Sequence, residues 1–147
     1  MFIACFHILF CLGLTYGDKL KQQTLQQVQL KDNATLSCPA IQEVIKKGEI
    51  YKSVTWWVCT SNVSCNGEEP GWKWIAGLNS KGEAGSEHKG IRMAQDGSLH
   101  IEDLHLKDVT TYQCRVTPLN STDPKDHTVK LLLKAQGKIC INRTFFR

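Results

Sequence analysis

Two cysteines that lie far apart in the chain place the strongest constraint on its fold. Cys38 and Cys114 are 76 residues apart, and each belongs to a short run in which apolar and polar residues alternate. Alternation with period two is typical of a β-strand with one buried face, and it places both cysteines on inward faces. A disulfide between them would join two strands across a core, and closing so long a loop should stabilise the fold by about 4–5 kcal/mol.

Several further runs show the same alternation, and turn residues separate them. Their inward positions are Ala34, Leu36 and Cys38; Val54, Trp56 and Val58; Leu99 and Ile101; Tyr112, Cys114 and Val116; and Val129, Leu131 and Leu133. Turn residues lie at 32–33, 70–71, 96–97 and 122–124. No stretch offers a long amphipathic helix. This pattern predicts an all-β domain built as a two-sheet sandwich.

The first 17 residues predict a secretory signal peptide. Residues 2–14 are almost wholly apolar and uncharged, and Gly17 lies where a signal peptidase would cleave. A buried N-terminal strand or helix is the alternative. The apolar run is shorter than the ~20 residues that span a bilayer, and no later segment is long or apolar enough. We therefore expect no membrane span in this chain, a location outside the cell or on the extracellular side of the plasma membrane, and a short N-terminal extension over residues 18–23.

Secretion determines how the cysteines are interpreted. Cys5 and Cys11 would leave with the signal peptide, and the others would remain in an oxidising compartment where disulfides persist. The number that remains is odd, so at least one thiol is free or pairs between chains. Cys140 could join two chains if the tail over residues 137–147 serves as a stalk. A disordered remnant, a truncated gene product and a soluble splice form are the alternatives for this tail.

Sequons of the form N-x-S/T support the same compartment. They begin at Asn33, Asn62, Asn120 and Asn142. Each alone arises often by chance, but this number of sequons in a short chain with a predicted signal peptide indicates a glycoprotein.

The charges and the histidines do not point to nucleic acid, a metal or catalysis. The net charge is +4, but the basic residues are scattered rather than gathered in a stripe, so we expect no nucleic-acid partner. His100 and His105 are an odd number of positions apart, on and after a strand, so they do not share a face as zinc ligands would. The chain also lacks a glycine-rich phosphate loop and a G-x-S-x-G elbow. We expect no enzyme activity, no metal and no cofactor.

A set of motif residues resembles a known family. Cys38, Trp56 and Cys114 resemble the cysteine–tryptophan–cysteine pin that joins the two sheets of an immunoglobulin domain. The run D-V-T-T-Y-Q-C, from Asp108 to Cys114, resembles the D-x-x-x-Y-x-C signature of the variable-type members. Tyr112, two residues before the second cysteine, matches the tyrosine corner of that family.

The resemblance extends to other segments and carries structural expectations. Residues 96–104 resemble the D–E hairpin, and residues 70–76 resemble the C–C′ turn and strand C′. In this family an Arg at the place of Arg92 often pairs with the Asp at the place of Asp108. The resemblance covers about residues 24–136 and implies an immunoglobulin V-type, two-sheet Greek-key sandwich.

The chain departs from the family pattern in two places. Residues 127–135 lack the Phe-Gly-x-Gly bulge of antigen-receptor variable domains, which argues against a rearranging receptor chain. The C–C′ segment carries Cys59 and Cys65, and Cys59 lies on the outward face when counted from Trp56. A local Cys59–Cys65 disulfide would staple this hairpin. It is similar in kind to one in the polymeric immunoglobulin receptor and related leukocyte receptors.

By this resemblance, the chain presents a GFCC′ sheet face and one end of loops to a partner. Tryptophan and arginine are enriched in interface hot spots. The candidate ligand contacts on the sheet face are Trp57, Trp72, Trp74, Gln113 and Arg115. For Trp72 and Trp74 the alternative is that they cap the hairpin or fill the core.

The two long connections, residues 39–53 and 117–126, form a second candidate surface, or are plain solvated loops.

The expected role is immune recognition, as the ectodomain of a cell-surface receptor or its soluble form, with a protein ligand or a receptor on another cell as partner. Homophilic or heterophilic adhesion is the alternative, and a secreted enzyme or inhibitor is a remote one.

Overall fold

The structure is a computed structural model that describes residues 22–60, 65 and 71–135. The predicted signal peptide, residues 18–21, Asn62, Cys140, Asn142 and the tail over residues 137–147 lie outside the described residues. The described strands are β1 (Gln22–Val28), β2 (Ala34–Leu36), β3 (Tyr51–Cys59), β4 (Trp72–Asn79), β5 (Ala84–Ser86), β6 (Ile91–Met93), β7 (Leu99–Ile101), β8 (Thr111–Pro118) and β9 (Lys125–Leu133). An α-helix, α1 (Pro39–Lys46), and one turn of 3₁₀-helix (Leu106–Asp108) complete the described elements.

The strands form two sheets that pack face to face, which confirms the predicted all-β sandwich. The larger sheet has the order β1-β9-β8-β3-β4-β5, and the smaller has the order β2-β7-β6. All neighbouring strands are antiparallel except β1 and β9, which run parallel. Neighbours such as β3 and β8 are distant in sequence, so the sheets form only when the whole domain folds.

The core lies between the sheets and is centred on one tryptophan. Trp56 is 0% exposed, and its register partner on β8 is Cys114. Cys114 forms the predicted disulfide with Cys38, with a Cα–Cα distance of 5.8 Å, so the covalent tie between the sheets is confirmed. The Trp56 Nε1–H donates to the backbone oxygen of Gly97 at 2.9 Å, so the buried indole has its polar atom satisfied. Gly97 has φ +81°, and a Cβ there would lie 3.1 Å from Ile41 Cδ1, so this turn needs glycine.

The connection after Cys38 contains a helix rather than an irregular loop. Pro39 occupies the first turn of α1, where its missing N–H costs nothing. Ala40, Ile41 and Val44 bury one face of α1 in the core. The helix ends in a Schellman motif: Gly48, with φ +69°, donates to Ile45 O, and the next amide donates to Val44 O. The segment over residues 39–53 is therefore largely ordered secondary structure.

One predicted ion pair does not form. Arg92 was expected to pair with Asp108, but its Nε lies 3.3 Å from Glu102 Oε1 instead. Asp108 Oδ2 accepts the His105 backbone N–H at 2.9 Å, so this carboxylate caps the 3₁₀ turn. Arg92 and Glu102 are both on or next to the outward face of the smaller sheet, where they meet across β6 and β7. The tyrosine corner is present, because the Tyr112 hydroxyl donates to the backbone oxygen of Asp108 at 2.8 Å.

A histidine lies inside the fold. His127 on β9 is 5% exposed, and its Nε2 lies 2.9 Å from Thr24 Oγ1 on β1. Its Nδ1 has no hydrogen-bond partner. Burial lowers the pKa of His127 below the usual 6.5, and the negative charge of Glu43 offsets part of this effect.

This buried imidazole predicts that the domain loses stability in mild acid. The unfolded chain takes up a proton near pH 6.5, whereas folded His127 stays neutral to lower pH. Its contribution is therefore fully present above pH 6.5 and is lost as the pH falls through the folded pKa, by at most about 1.4 kcal/mol per pH unit. We expect the free energy of unfolding in urea to fall between pH 7.5 and pH 5.5, and to fall less in His127→Gln. His88→Gln, which changes an exposed histidine, should keep the wild-type slope; equal slopes in all three proteins would contradict the prediction.

Candidate binding face

The five predicted contact residues all lie on the outward side of the larger sheet, which we call the tryptophan face. It is defined by Trp57, Trp72, Trp74, Gln113 and Arg115. Successive side chains on a strand point to opposite faces, so β3 sends Trp56 into the core and Trp57 outward. In the register, Trp57 lies between Gln113 on β8 and Trp74 on β4.

A β-bulge on β4 places Trp74 on this face. The partner of Trp56 is Ala76, but the partner of the next residue, Trp57, is Trp74, so Ile75 is the extra residue. Ile75 and Ala76 are consecutive, yet both are buried, at 1% and 0% exposure. Because they fill the core, Trp74 is half-buried on the outward side, and the core-filling alternative for Trp74 is wrong.

The indole rings of Trp57 and Trp74 lie side by side along their strands. The Trp57 Nε1–H donates to Thr55 Oγ1 at 3.0 Å, so this ring lies back along β3. A Cβ on Gly77 would lie 3.5 Å from both Cζ2 and Nε1 of Trp74, so that ring lies over Gly77. Since Thr55 and Gly77 are register partners, both rings extend toward the same row of the sheet. Both tryptophans keep part of their surface exposed on the outward side of the sheet.

Trp72 extends the aromatic row toward the second disulfide. Its register partner is Cys59, and Cys59 forms the predicted disulfide with Cys65. The Cα–Cα distance is 6.1 Å. Trp72 is half-buried on the outward side, so the core-filling alternative is wrong for it as well. This disulfide lies at the end of β3, the strand that also carries Trp57. It restrains the end of that strand opposite Trp72.

Gln113 and Arg115 both hold one carboxylate. Arg115 Nε and Nη2 donate to the two oxygens of Asp126 at 2.8 and 3.0 Å, a bidentate pair. The Gln113 Nε2–H donates to Asp126 Oδ2 at 3.0 Å. Gln113 is only 4% exposed, so it supports this network and offers little surface to a partner. The Arg115 side chain is 34% exposed and can be contacted from outside.

Sequence reasoning missed Asp126. It lies on β9 opposite Arg115 in the register, and only the pairing of β8 with β9 brings it there. Alternation along β9 gives its outward direction, but the pairing register cannot be read from the sequence alone.

The surroundings of the two rings are polar and uncharged, apart from the exposed Lys130 on β9 and the internally paired Arg115 and Asp126. The neighbouring outward positions on β3, β4 and β9 are Ser53, Thr55, Gly77, Asn79 and Thr128. Within the described residues, no group of three or more His, Cys, Asp or Glu side chains could hold a metal ion. His100 shares a hydrogen bond with Thr35, and His105 lies 3.5 Å from Asp103, so the two histidines serve separate contacts.

Two of the predicted glycosylation sites lie within the described residues. Asn33 is exposed, and its Oδ1 accepts the backbone N–H of Asp103 at 3.1 Å. Asn120 is exposed in the turn that follows β8. Neither residue lies on the tryptophan face.

Comparisons with known proteins find similarity at the level of structure. No family model matches the chain, and no curated protein matches it. The two tandem V-type regions of VCBP3, a v-region-containing chitin binding protein, give a TM-score of 0.54 at 16% sequence identity, covering 74% of this chain and 42% of that one. Murine CEACAM1b gives a TM-score of 0.51 at 18% sequence identity, and the match covers 74% of this chain and 49% of that one. The second immunoglobulin domain of the mouse polymeric immunoglobulin receptor gives a TM-score of 0.51 at 15% sequence identity. This match covers 79% of this chain and 100% of that one.

The chain spans less than half of the first two of these structures, so the similarity concerns one domain. No described helix is long and apolar enough to cross a membrane. The chain shares hallmarks of the immunoglobulin sandwich: two packed sheets, the Cys38–Cys114 disulfide beside Trp56, and the tyrosine corner at Tyr112. The chain has the fold of a variable-type immunoglobulin domain.

Proposed function

We propose that the chain is a non-catalytic recognition domain that binds a protein ligand through the tryptophan face. It would act as the ectodomain of a cell-surface receptor or as its soluble form. The observation that carries this proposal is the pair of half-buried indole rings, Trp57 and Trp74, side by side on an outward sheet face. Tryptophan supplies a large contact area at a small cost in conformational entropy, so such pairs are typical of binding hot spots.

The polar groups of the face also support binding. Charged residues are depleted at the centre of protein interfaces, and the register partners of Trp57, which are Trp74 and Gln113, carry no charge. Arg115 is already held by Asp126 in a bidentate pair, so a partner would meet an ordered side chain. Preordered groups lose less entropy on binding than free ones. Gln113 contributes by holding Asp126 rather than by touching the partner.

An extracellular location follows from the same proposal. The disulfides Cys38–Cys114 and Cys59–Cys65 favour an oxidising compartment. The proposed extracellular location includes a signal peptide over residues 1–17, a domain over residues 24–136 and glycans on the sequons. A disulfide-linked dimer through Cys140 also remains a hypothesis, and non-reducing mass mapping of the secreted protein tests it.

A cell-binding experiment tests the proposed face. The protein, secreted from mammalian cells and multimerised on a fluorescent scaffold, would be applied to blood leukocytes and to an array of cell-surface ectodomains. We expect saturable binding that Trp57→Ala and Trp74→Ala each weaken by about tenfold or more, because each removes hot-spot area. Cooperative unfolding in urea from a native baseline at the assay temperature would show that the variants are folded.

The matched control lies at the loop end of the domain. Ile50 and Leu119 are exposed apolar residues joined through a backbone hydrogen bond, so Ile50→Ala/Leu119→Ala removes apolar area from the second candidate surface. This double variant should bind as the wild type does. Binding lost only in the double variant would move recognition to the loops, and no binding to cells or array would contradict the receptor function. Concentration-dependent self-association that Trp74→Ala abolishes would favour homophilic adhesion instead.

A further inference from the structure

Strand β1 leaves one side of its backbone unpaired. It ends the larger sheet, and its only neighbour in the described sheets is β9. Val28 O accepts the Lys134 N–H just beyond β9, so Val28 turns its backbone groups toward that strand. Because these groups alternate in direction along a strand, Gln23, Leu25 and Gln27 turn their N–H and C=O groups to the open side. None of these groups has a hydrogen-bond partner in the part of the chain that the structure describes.

The side chains of the same three residues lie on the outward side of the larger sheet. Thr24 contacts the buried His127 ring at 2.9 Å, so it points inward and the residues beside it point outward. Leu25 is 63% exposed, and Gln23 and Gln27 are exposed as well. The open edge therefore presents a leucine between two glutamines.

This edge lacks the features that usually keep other strands away. Natural sheets protect their edges with charged residues, proline, bulges or very short strands. β1 is seven residues long, with the uncharged sequence QQTLQQV, and its register with β9 has no bulge. The other three edges of the described sheets are protected: β6 carries the exposed Arg92, and the short β5 lies between Glu83 and Glu87. β2 is also short, and its Thr35 O accepts the Gln26 side chain at 3.2 Å.

The sequence of β1 is complementary to itself in the antiparallel direction. A two-fold axis at Leu25 would place Leu25 opposite its own copy and Gln23 opposite Gln27. These residues carry the unpaired backbone groups, so each opposed pair would exchange both of its N–H···O bonds. The opposed leucines would pack, and each glutamine amide can both donate to its counterpart and accept from it. The exposed Lys130, opposite Leu25 on β9, would lie three strand spacings, about 14 Å, from its copy, beyond the ~8 Å screening length.

We propose that β1 is a homodimer interface, in which two copies of this chain pair β1 with β1 in antiparallel orientation about a two-fold axis at Leu25. The larger sheets of the two copies then form one continuous sheet. Opposed residues of an antiparallel pair point to the same side, so both tryptophan faces lie on one side of that sheet. Two sites on one side can bind neighbouring ligands together, which raises the apparent affinity. The dimer itself is independent of the proposed function, and only this bivalent use of the tryptophan faces rests on it.

Sedimentation equilibrium of the secreted protein tests the interface, in a Cys140→Ser background that removes the predicted unpaired cysteine. A contact made by one strand is small and weak, so concentrations from about 5 to about 500 µM are needed. We expect a reversible dimer that Leu25→Lys weakens by at least about tenfold, because two like charges would meet at the axis. Leu106→Lys is the matched control, since Leu106 is 66% exposed on the 3₁₀ turn, away from β1. This control and Trp74→Ala should both dimerise as the wild type does.

Introduced cysteines test the register of the pair. Opposed residues of a hydrogen-bonded pair have Cα atoms about 5.5 Å apart, within the range of about 4.4–6.8 Å that disulfides span. In the same background, Leu25→Cys should form a covalent dimer on mild oxidation. Gln23→Cys and Gln27→Cys should form no covalent dimer when each is alone, and should form a covalent heterodimer when mixed.

Three results would overturn the proposal. The first is a protein that stays monomeric over the whole concentration range, and the second is a Leu25→Lys variant that dimerises as Leu106→Lys does. The third is a Gln23→Cys variant that cross-links alone as readily as Leu25→Cys. Dimers that Trp74→Ala abolishes would also contradict it, because self-association would then use the tryptophan face. Cooperative unfolding in urea would verify that each variant is folded, and cell binding by a monomer would leave the proposed function intact.

Discussion

Replacing both Cys38 and Cys114 by alanine is expected to leave little folded protein at 37 °C. Their disulfide closes a loop with a sequence separation of 76, and cross-linking such a loop contributes about 4.5 kcal/mol by lowering the entropy of the unfolded chain. A domain of this size is stable by only about 5–15 kcal/mol in total. The urea midpoint should fall sharply, and the secreted yield from mammalian cells should drop with it.

The second disulfide is the matched control. Cys59 and Cys65 have a sequence separation of only 6, and the same relation gives about 2 kcal/mol for so short a loop. Cys59→Ala/Cys65→Ala should therefore be secreted and folded, with a smaller fall in the urea midpoint. If the two double variants were destabilised equally, loop closure would not be the source of the stabilisation.

Truncating Trp56 should destabilise the domain far more than truncating Trp57, although the two residues are adjacent and identical. Trp56 fills the centre of the core and donates its indole N–H to Gly97, so Trp56→Ala leaves a large cavity and an unpaired buried oxygen. Such a change costs about 3–5 kcal/mol. Trp57 is half-buried on an outward face, and we expect its truncation to cost less than about 1.5 kcal/mol.

Guanidinium unfolding of both single variants measures this difference directly. Trp57→Ala is the natural control, because it removes the same side chain from the neighbouring position of β3. Equal losses in the free energy of unfolding would mean that the outward tryptophan is also a core residue. That result would remove it from the proposed binding face.

The core could be predicted well from the sequence, because the alternation that indicates buried positions is a local pattern within each strand. Alternation along β3 and β8 determines which side chains point inward, and it placed Trp56 and Cys114 correctly. The same alternation placed Leu133 inward, but this last residue of β9 is exposed. Leu133 lies beyond Lys130, the last residue of β9 that pairs with β8, so the neighbouring strand does not continue beside it.

Helix α1 and the β4 bulge could not be predicted from the same pattern. The helix has only eight residues, too few for the helical period to stand out. At the bulge, Ile75 and Ala76 are both apolar, so alternation does not say which of them points inward; in the fold both do. The direction of Trp74 depends on that choice, and only the pairing with β3 determines it.

Contacts between distant polar side chains were the least predictable features. Arg92 was expected to pair with Asp108, but the pairing of β6 with β7 brings Glu102 within reach of it instead. Asp126 reaches Gln113 and Arg115 of the tryptophan face only through the register of β8 with β9. Such contacts depend on the pairing register to within one residue, because a slip of one position reverses the direction of every side chain.

The parallel pairing of β1 and β9, the first and last strands that the structure describes, gives the domain a particular response to mechanical load. The register runs from Gln22–His127 to Val28–Leu133, so the chain enters β1 at one end of the pair and leaves β9 at the other. A pulling force transmitted along the chain would slide the two strands past each other in shear. All hydrogen bonds of the pair would then bear the force together, whereas an antiparallel hairpin pulled at its open end yields one bond at a time. The domain is thus built to withstand tension between its two terminal strands.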